Sequence, residues 1–212
     1  MLKFKLLIWL ALFSSTLFGT GESVRVGLYY KQAIPAVTVK IQRGNYQLYA
    51  DGNWIKQLKK QDHFSIVSQG TVNDSLELKI GAQTITAQEI KMTGLDYVNH
   101  FTLNTPVNGT HAYDDDLLFT RYYSAIRIIN ETGIENYVSA VVEGEAGYKL
   151  PAEFYKLQAI LSRTYALKNY DRHAQEGFSV CDKVHCQVYH HKCTKANIYE
   201  ATVATNSLVV VD

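Results

Sequence analysis

The chain has 212 residues, 47% of them hydrophobic, with 21 Lys and Arg against 20 Asp and Glu and a formal net charge of +1. That length and apolar content suit one large domain or a domain with a small partner, built around a real core. The near-neutral balance excludes the basic face of a nucleic-acid binder.

Residues 1–21 read as a secretory signal. Lys3 and Lys5 give a positive start, and Leu6–Phe13 form an apolar run too short for a comfortable membrane span. Gly19 and Gly21 are small residues spaced for a cut before Glu22. An uncleaved anchor is the alternative; on either reading the chain is expected to be exported, to the periplasm, cell envelope or outside. Without Lys3 and Lys5 the formal charge falls from +1 to −1.

Residues 22–119 read as a β-rich region. Val24, Val26 and Leu28 alternate with other residues, as do Val37, Val39 and Ile41, then Phe64 and Ile66, then Leu76, Leu78 and Ile80, with Ala125 to Ile128 continuing the habit. Asp51-Gly52 and Asn108-Gly109 are turn signals. The 15 tyrosines suit both sugar contact and ordinary sheets. Asp114-Asp115-Asp116 reads as a solvated loop, with a cation site the alternative; its spacing fits no EF-hand. Asn73, Asn108 and Asn130 each open an N-x-S/T triplet.

The period changes at Ile134. Ile134, Tyr137, Val138, Val141 and Val142 fall on one helical face, and Glu145 extends that stripe. A carboxyl at an apolar position near a helix C-terminus is expected to hold its proton, which suits a general acid. The alternative places Glu145 on an exposed last turn with Gly147 as the helix stop. Gly144 and Gly147 would leave room for a ligand, and Glu143, on another face, is the weaker acid candidate.

A second helix is expected from Pro151, with Phe154, Leu157, Leu161 and Tyr165 as its buried stripe and Ala159, Ile160 and Ala166 beside it. Arg163 sits inside this apolar pattern and either holds the Glu145 loop or reaches solvent. The three cysteines then fall within thirteen residues, Cys181, Cys186 and Cys193, with His185, His190 and His191 among them. Zinc bound by thiolate and imidazole fits this set. So does a disulfide with one spare thiol, since exported proteins meet oxidising compartments.

Three blocks occur in order: Tyr137-Val138…Val141-Val142…Glu145, then Pro151-Ala152…Leu157-Gln158-Ala159…Arg163-Thr164-Tyr165-Ala166-Leu167, then Cys181-Asp182…His185-Cys186-Gln187-Val188-Tyr189. Together with Ile126–Asn130 and Glu135–Tyr137 they resemble the catalytic domain of the stage II sporulation protein D and LytB amidase-enhancer family. The resemblance covers about residues 120–212. It implies an α+β fold, with the β-rich N-terminal part packed against a mixed α/β catalytic domain. It also implies a lytic transglycosylase that cleaves the MurNAc–GlcNAc bond of peptidoglycan, with Glu145 as the single general acid and base. Structural zinc on Cys181, His185 and Cys186 is implied by some members and now favoured over a disulfide, with no cofactor required for catalysis. Arg163, Gln187 and Tyr189 are expected to line the glycan groove.

The sequence departs from the family at Ala146-Gly147-Tyr148, where a Met-Pro pair is usual, and the family's Ser-x-Gly-Gly segment after a strand such as Ser207–Val211 does not occur here. The family domain is therefore expected to be incomplete. The same fold serving as a non-catalytic wall binder or amidase enhancer is the second reading, and a zinc hydrolase using His190 or His191 the third. Glycan strands, and a cell-wall amidase under the second reading, are the expected partners, with no nucleic acid and no membrane beyond the signal segment.

Overall fold

A computed structural model describes residues 22–68 and 75–211. The signal reading of residues 1–21 and the Asn73 triplet lie outside the described residues.

Alternation of apolar and polar residues produces twelve strands before the first helix. They are β1 (Ser23–Leu28), β2 (Ala36–Arg43), β3 (Tyr46–Ala50), β4 (Asn53–Leu58), β5 (His63–Ser68), β6 (Leu76–Ile80), β7 (Gln83–Ala87), β8 (Glu89–Gly94), β9 (His100–Thr105), β10 (Gly109–Asp114), β11 (Asp116–Tyr122) and β12 (Ala125–Gly133). The expected Asp51-Gly52 turn joins β3 to β4 with φ of 48° and 76°, the paired positive values of a tight hairpin. A short β13 (Val180–Cys181) follows the second helix.

The strands form two sheets. One has seven strands in the order β13-β1-β12-β11-β8-β3-β4, the other six in the order β10-β9-β2-β5-β6-β7. Inward rings bridge them: Phe64 meets Phe119, and Tyr46 meets Phe101, each at 6.3 Å between centroids. These rings and the Val, Ile and Leu residues of the predicted strands belong to one buried core. The architecture is α+β, as expected.

Three helices follow: α1 (Ile134–Ala146), α2 (Ala152–Lys168) and α3 (Ala196–Val203). The stripe Ile134, Tyr137, Val138, Val141 and Val142 is buried, as its spacing required. The N-terminal region is not a detachable support. β1 lies between β12 and β13, antiparallel to one and parallel to the other, so residues 23–28 supply an inner strand beneath the helical part. The expected boundary at residues 119 and 120 falls inside β11.

α2 differs from expectation. Phe154, Leu157 and Leu161 face outward, and its buried face is Tyr155, Ala159, Ser162, Arg163 and Ala166. The physical reason is partner chemistry. Small side chains at residues 159, 162 and 166 let α2 lie close to its helical neighbours. Arg163, 1% exposed, forms a fork–fork pair with Glu135: Nε donates to Oε1 at 2.8 Å and Nη2 to Oε2 at 2.6 Å. Its remaining donors meet the carbonyls of Leu208 and Thr202. A buried guanidinium is tolerable when each of its nitrogens is engaged in this way.

The three aspartates are also not a solvated loop. Asp115, at φ 67° in the bend between β10 and β11, accepts hydrogen bonds from Thr132 Oγ1, the Gly133 N–H and Asn136 Nδ2, and so holds the start of α1. Asp114 pairs with Lys192, and Asp116 accepts the Gly94 N–H. Burial pushes the Asp116 carboxyl up to about 6; the Gly94 N–H opposes that shift, and Glu131, directly across the strand pair, adds to it.

Candidate active site and Cys/His cluster

α1 ends where Gly147 takes φ 71° and ψ −162°, a conformation open to glycine, and its N–H returns to the Glu143 carbonyl. Glu145 stands on this last turn and is exposed. The burial from which proton retention was expected is absent, because the apolar stripe ends at Val142 and the sheet does not reach the last turn. Gly144 does not leave room for a ligand either. A Cβ there would lie 3.0 Å from the Val188 carbonyl oxygen, so this glycine lets the segment after Cys186 press against the helix.

Two donors hold the Glu145 carboxyl. Gln158 Nε2, from α2, lies 3.1 Å from Oε2, and the Val188 N–H lies 3.3 Å from Oε1. Among the described residues, the ion pairs do not include Glu145. Glu143 is committed elsewhere: it accepts from the Thr194 N–H and Thr194 Oγ1, each at 2.5 Å. Partial burial works against its ionisation, but these hydrogen bonds outweigh it and hold the carboxyl below its usual range.

The expected groove residues lie in the interior. Arg163 is spent on Glu135. Gln187 is buried and accepts from the Tyr137 hydroxyl at 3.1 Å. Tyr189 is buried and donates to Asn130 Oδ1 at 2.7 Å. None of the three faces the exposed end of α1. Gln187 and Tyr189 tie the segment after Cys186 to α1 and β12. Asn130 is likewise a buried core residue. A cleft of about 1230 Å³ runs past the other end of α1 and is lined by Asn136, Asp116, Glu131, Tyr97, Tyr199 and Ser207 among others. Glu145 is not on it.

Cys181, His185 and Cys186 come together as expected, and a fourth residue joins them. The donor atoms of His173, Cys181, His185 and Cys186 all lie within 4.8 Å of one another. Cys181 Sγ to His185 Nδ1 is 3.3 Å, Cys186 Sγ to His173 Nε2 is 3.4 Å, and Cys186 Sγ to His185 Nδ1 is 3.5 Å. Tetrahedral zinc with two sulfur and two nitrogen ligands spaces its donors by about 3.3–3.8 Å, so the set fits that ion. His173 also has the outer partner that metal-bound imidazoles use: its Nδ1 lies 2.7 Å from Glu176 Oε1, which in turn accepts the Tyr30 hydroxyl. The hydrogen bond between the two thiols pushes Cys186 down to about 6 and Cys181 up, so the pair readily offers one thiolate.

The remaining candidates stand apart. His190 is exposed, His191 contacts the Lys192 carbonyl, and Cys193 turns to the Lys195 carbonyl. His173 escaped the sequence reading because it precedes the cysteine block, across the short 3-10 turn Ala174–Glu176. The available signal was His173-x-x-Glu176, an imidazole with a carboxylate three residues on. The cluster is pinned from the N-terminal region: Asp182 accepts the N–H groups of Tyr29 and Tyr30, and β13 runs beside β1.

Residues 122–211 match the family described as stage II sporulation protein, SpoIID. An uncharacterized protein of Brachyspira hyodysenteriae (strain ATCC 49526 / WA1) is 34% identical over 87 residues, which cover 41% of this chain and 23% of that protein. The chain thus spans about a quarter of the length of that relative. No solved structure matches.

Proposed function

We propose that this chain, whose residues 122–211 belong to the SpoIID family, is an exported cell-wall protein that cleaves peptidoglycan glycan strands by a lytic transglycosylase reaction. Membership of that family is consistent with a cell-wall role; the reaction is our reading. The observation that carries it is the Glu145 carboxyl, exposed at a helix end and held by two neutral donors with no cation spent on it.

In the reaction, protonated Glu145 gives its proton to the glycosidic oxygen and the bond from that oxygen to C1 breaks. An oxocarbenium-like state develops on the sugar. The C6 hydroxyl then closes on C1, and its proton returns to the Glu145 carboxylate. The product is an anhydro ring and no water is consumed, so one carboxyl suffices. Glu143 need not act, and its hydrogen bonds to Thr194 keep it from doing so.

The Cys/His cluster would hold zinc through His173, Cys181, His185 and Cys186, with Glu176 orienting His173. Bound there, the ion would supply a structural cross-link. Four protein donors close a tetrahedral site and leave no position for a reacting water, which favours this role over a zinc hydrolase. The link would fix the segment that delivers the Val188 N–H to Glu145.

The test is the product. Purified glycan strands treated with the protein should acquire 1,6-anhydro ends, seen by mass spectrometry. One observation favours the second reading, a wall binder or amidase enhancer: a cleft of about 1230 Å³ lies at the other end of α1 from Glu145. Strands bound but uncut, or reducing ends in place of anhydro ends, would contradict the lytic reading.

A further inference from the structure

Glu145 has two partners, and they differ in what they can do. The Val188 N–H only donates. Its position is fixed by the contact of Gly144 with the Val188 backbone and side chain. Gln158 presents an amide, which donates through nitrogen and accepts through oxygen. It lies on α2 between the exposed Leu157 and Ala159, whose burial anchors that turn of the helix. Which end of the amide faces Glu145 is set by the hydrogen-bond network, and the two ends occupy nearly the same space.

A carboxyl that alternates between acid and base needs different partners in its two states. As a carboxylate it accepts, and both Gln158 Nε2 and Val188 N–H serve it. As a carboxylic acid it has a proton to place before the substrate arrives, and a backbone N–H cannot take it. Among the contacts at Glu145, the Gln158 side chain alone can turn over and offer an oxygen. We infer that Gln158 is the positioning residue of Glu145, turning its amide to match each protonation state of that carboxyl. This rests on the reading of Glu145 as acid and base. Gln158 touches the carboxyl and not the reacting sugar atoms.

The test uses Gln158→Leu, which removes both hydrogen-bonding ends, and Gln158→Glu, which keeps the shape but adds a competing proton. Both are made in the full chain, with anhydro-end release followed from pH 4 to pH 9. In Gln158→Leu, kcat should fall about 10- to 100-fold, the range for losing a hydrogen bond to a charged group, with KM little changed. The alkaline limb of the profile should move to higher pH, because the bond Gln158 donates to the carboxylate is charge-assisted and stronger than the one it would accept from the acid. Gln158→Glu should move it in the same direction, since two carboxyls then share one proton. A fall in kcat with the limb unmoved in Gln158→Leu means a merely structural role and overturns the inference, as does unchanged kcat in that variant.

Failure of the lytic reading itself is recognised separately, by wild type that yields no anhydro ends. The carbon-13 titration of the Glu145 carboxyl then decides the matter without activity. Its midpoint should rise measurably in Gln158→Leu. A midpoint equal to that of wild type overturns the inference.

Discussion

Two carboxylates on α1 meet opposite surroundings. Glu135, in the first turn, is gripped by a buried guanidinium through two short hydrogen bonds. Glu145, on the last turn, is exposed and held by an amide and a backbone N–H. Both positions place a charge beside an apolar stripe, and the difference lies in the partner. Glu135 is committed to a buried cation, whereas the hydrogen-bond partners of Glu145 among the described residues are neutral donors. The first end of the helix is tied into the interior and the second is exposed.

The comparison breaks hardest at the buried end. Arg163→Met leaves Glu135 without its cation, and removing one partner of such a pair costs about 3–5 kcal/mol. Urea denaturation should show that loss, with Glu135→Gln similar in size. The double variant Arg163→Met/Glu135→Met should recover part of it, because a well-packed apolar pair replaces an orphaned charge. A loss under about 1 kcal/mol for Arg163→Met would mean the pair is not the anchor described here.

The cluster sharpens the contrast, because it fixes one of Glu145's two partners from a distance. Protein purified without added metal should carry about one equivalent of zinc if the four donors act as a closed site. His173→Ala and Cys181→Ser should both empty it and lower the melting temperature, since structural zinc contributes folding free energy directly. Glu176→Gln should weaken zinc about 10- to 100-fold by loosening His173. His190→Ala and His191→Ala should leave the zinc content unchanged; loss of zinc in either would put the fourth donor elsewhere.

A smaller effect concerns Asp116, whose carboxyl is pushed up to about 6 by burial, with Glu131 across the strand adding to the shift. A folded-state value above the unfolded one means the acid form fits the fold better. That contribution is fully present below the unfolded value near pH 4 and is lost as pH rises through about 6. Asp116→Asn keeps the oxygen that accepts the Gly94 N–H and removes the charge. It should stabilise the protein by about 1 kcal/mol at pH 8, after allowance for solvent screening, and leave stability near unchanged at pH 4. Equal stability of variant and wild type at both values would refute the assignment.

How far these features can be read from the chain depends on the range of the interactions. The period-2 strands, the Asp51-Gly52 turn and the α1 stripe through Val142 rest on local spacing, and the sequence carries them openly. The three blocks from Tyr137 to Tyr189 likewise point to the SpoIID family. What was hidden depends on partners far along the chain. Arg163 reads as a groove residue until Glu135 is seen beside it. Phe154, Leu157 and Leu161 read as core because their period is helical, yet small residues and a paired arginine fill the buried face. Gln187 and Tyr189 look like site residues because they adjoin the cysteines, but their polar ends meet Tyr137 and Asn130 in the interior. His173 enters the cluster only after the 3-10 turn folds it back, a contact no spacing rule contains.

The central claim is that the open end of α1 carries the chemistry, and one comparison tests it most directly. Anhydro-end release from purified glycan strands is measured for wild type, Glu145→Gln and Glu143→Gln at equal concentration. Glu145→Gln keeps the size and most of the hydrogen bonding, so its stability should stay within about 0.5 kcal/mol of wild type. Its rate should fall by about 10² to 10⁴, the usual contribution of general acid–base catalysis. Glu143→Gln, tied to Thr194, should keep its activity. Equal release by wild type and Glu145→Gln, or a comparable loss in Glu143→Gln alone, would contradict the account.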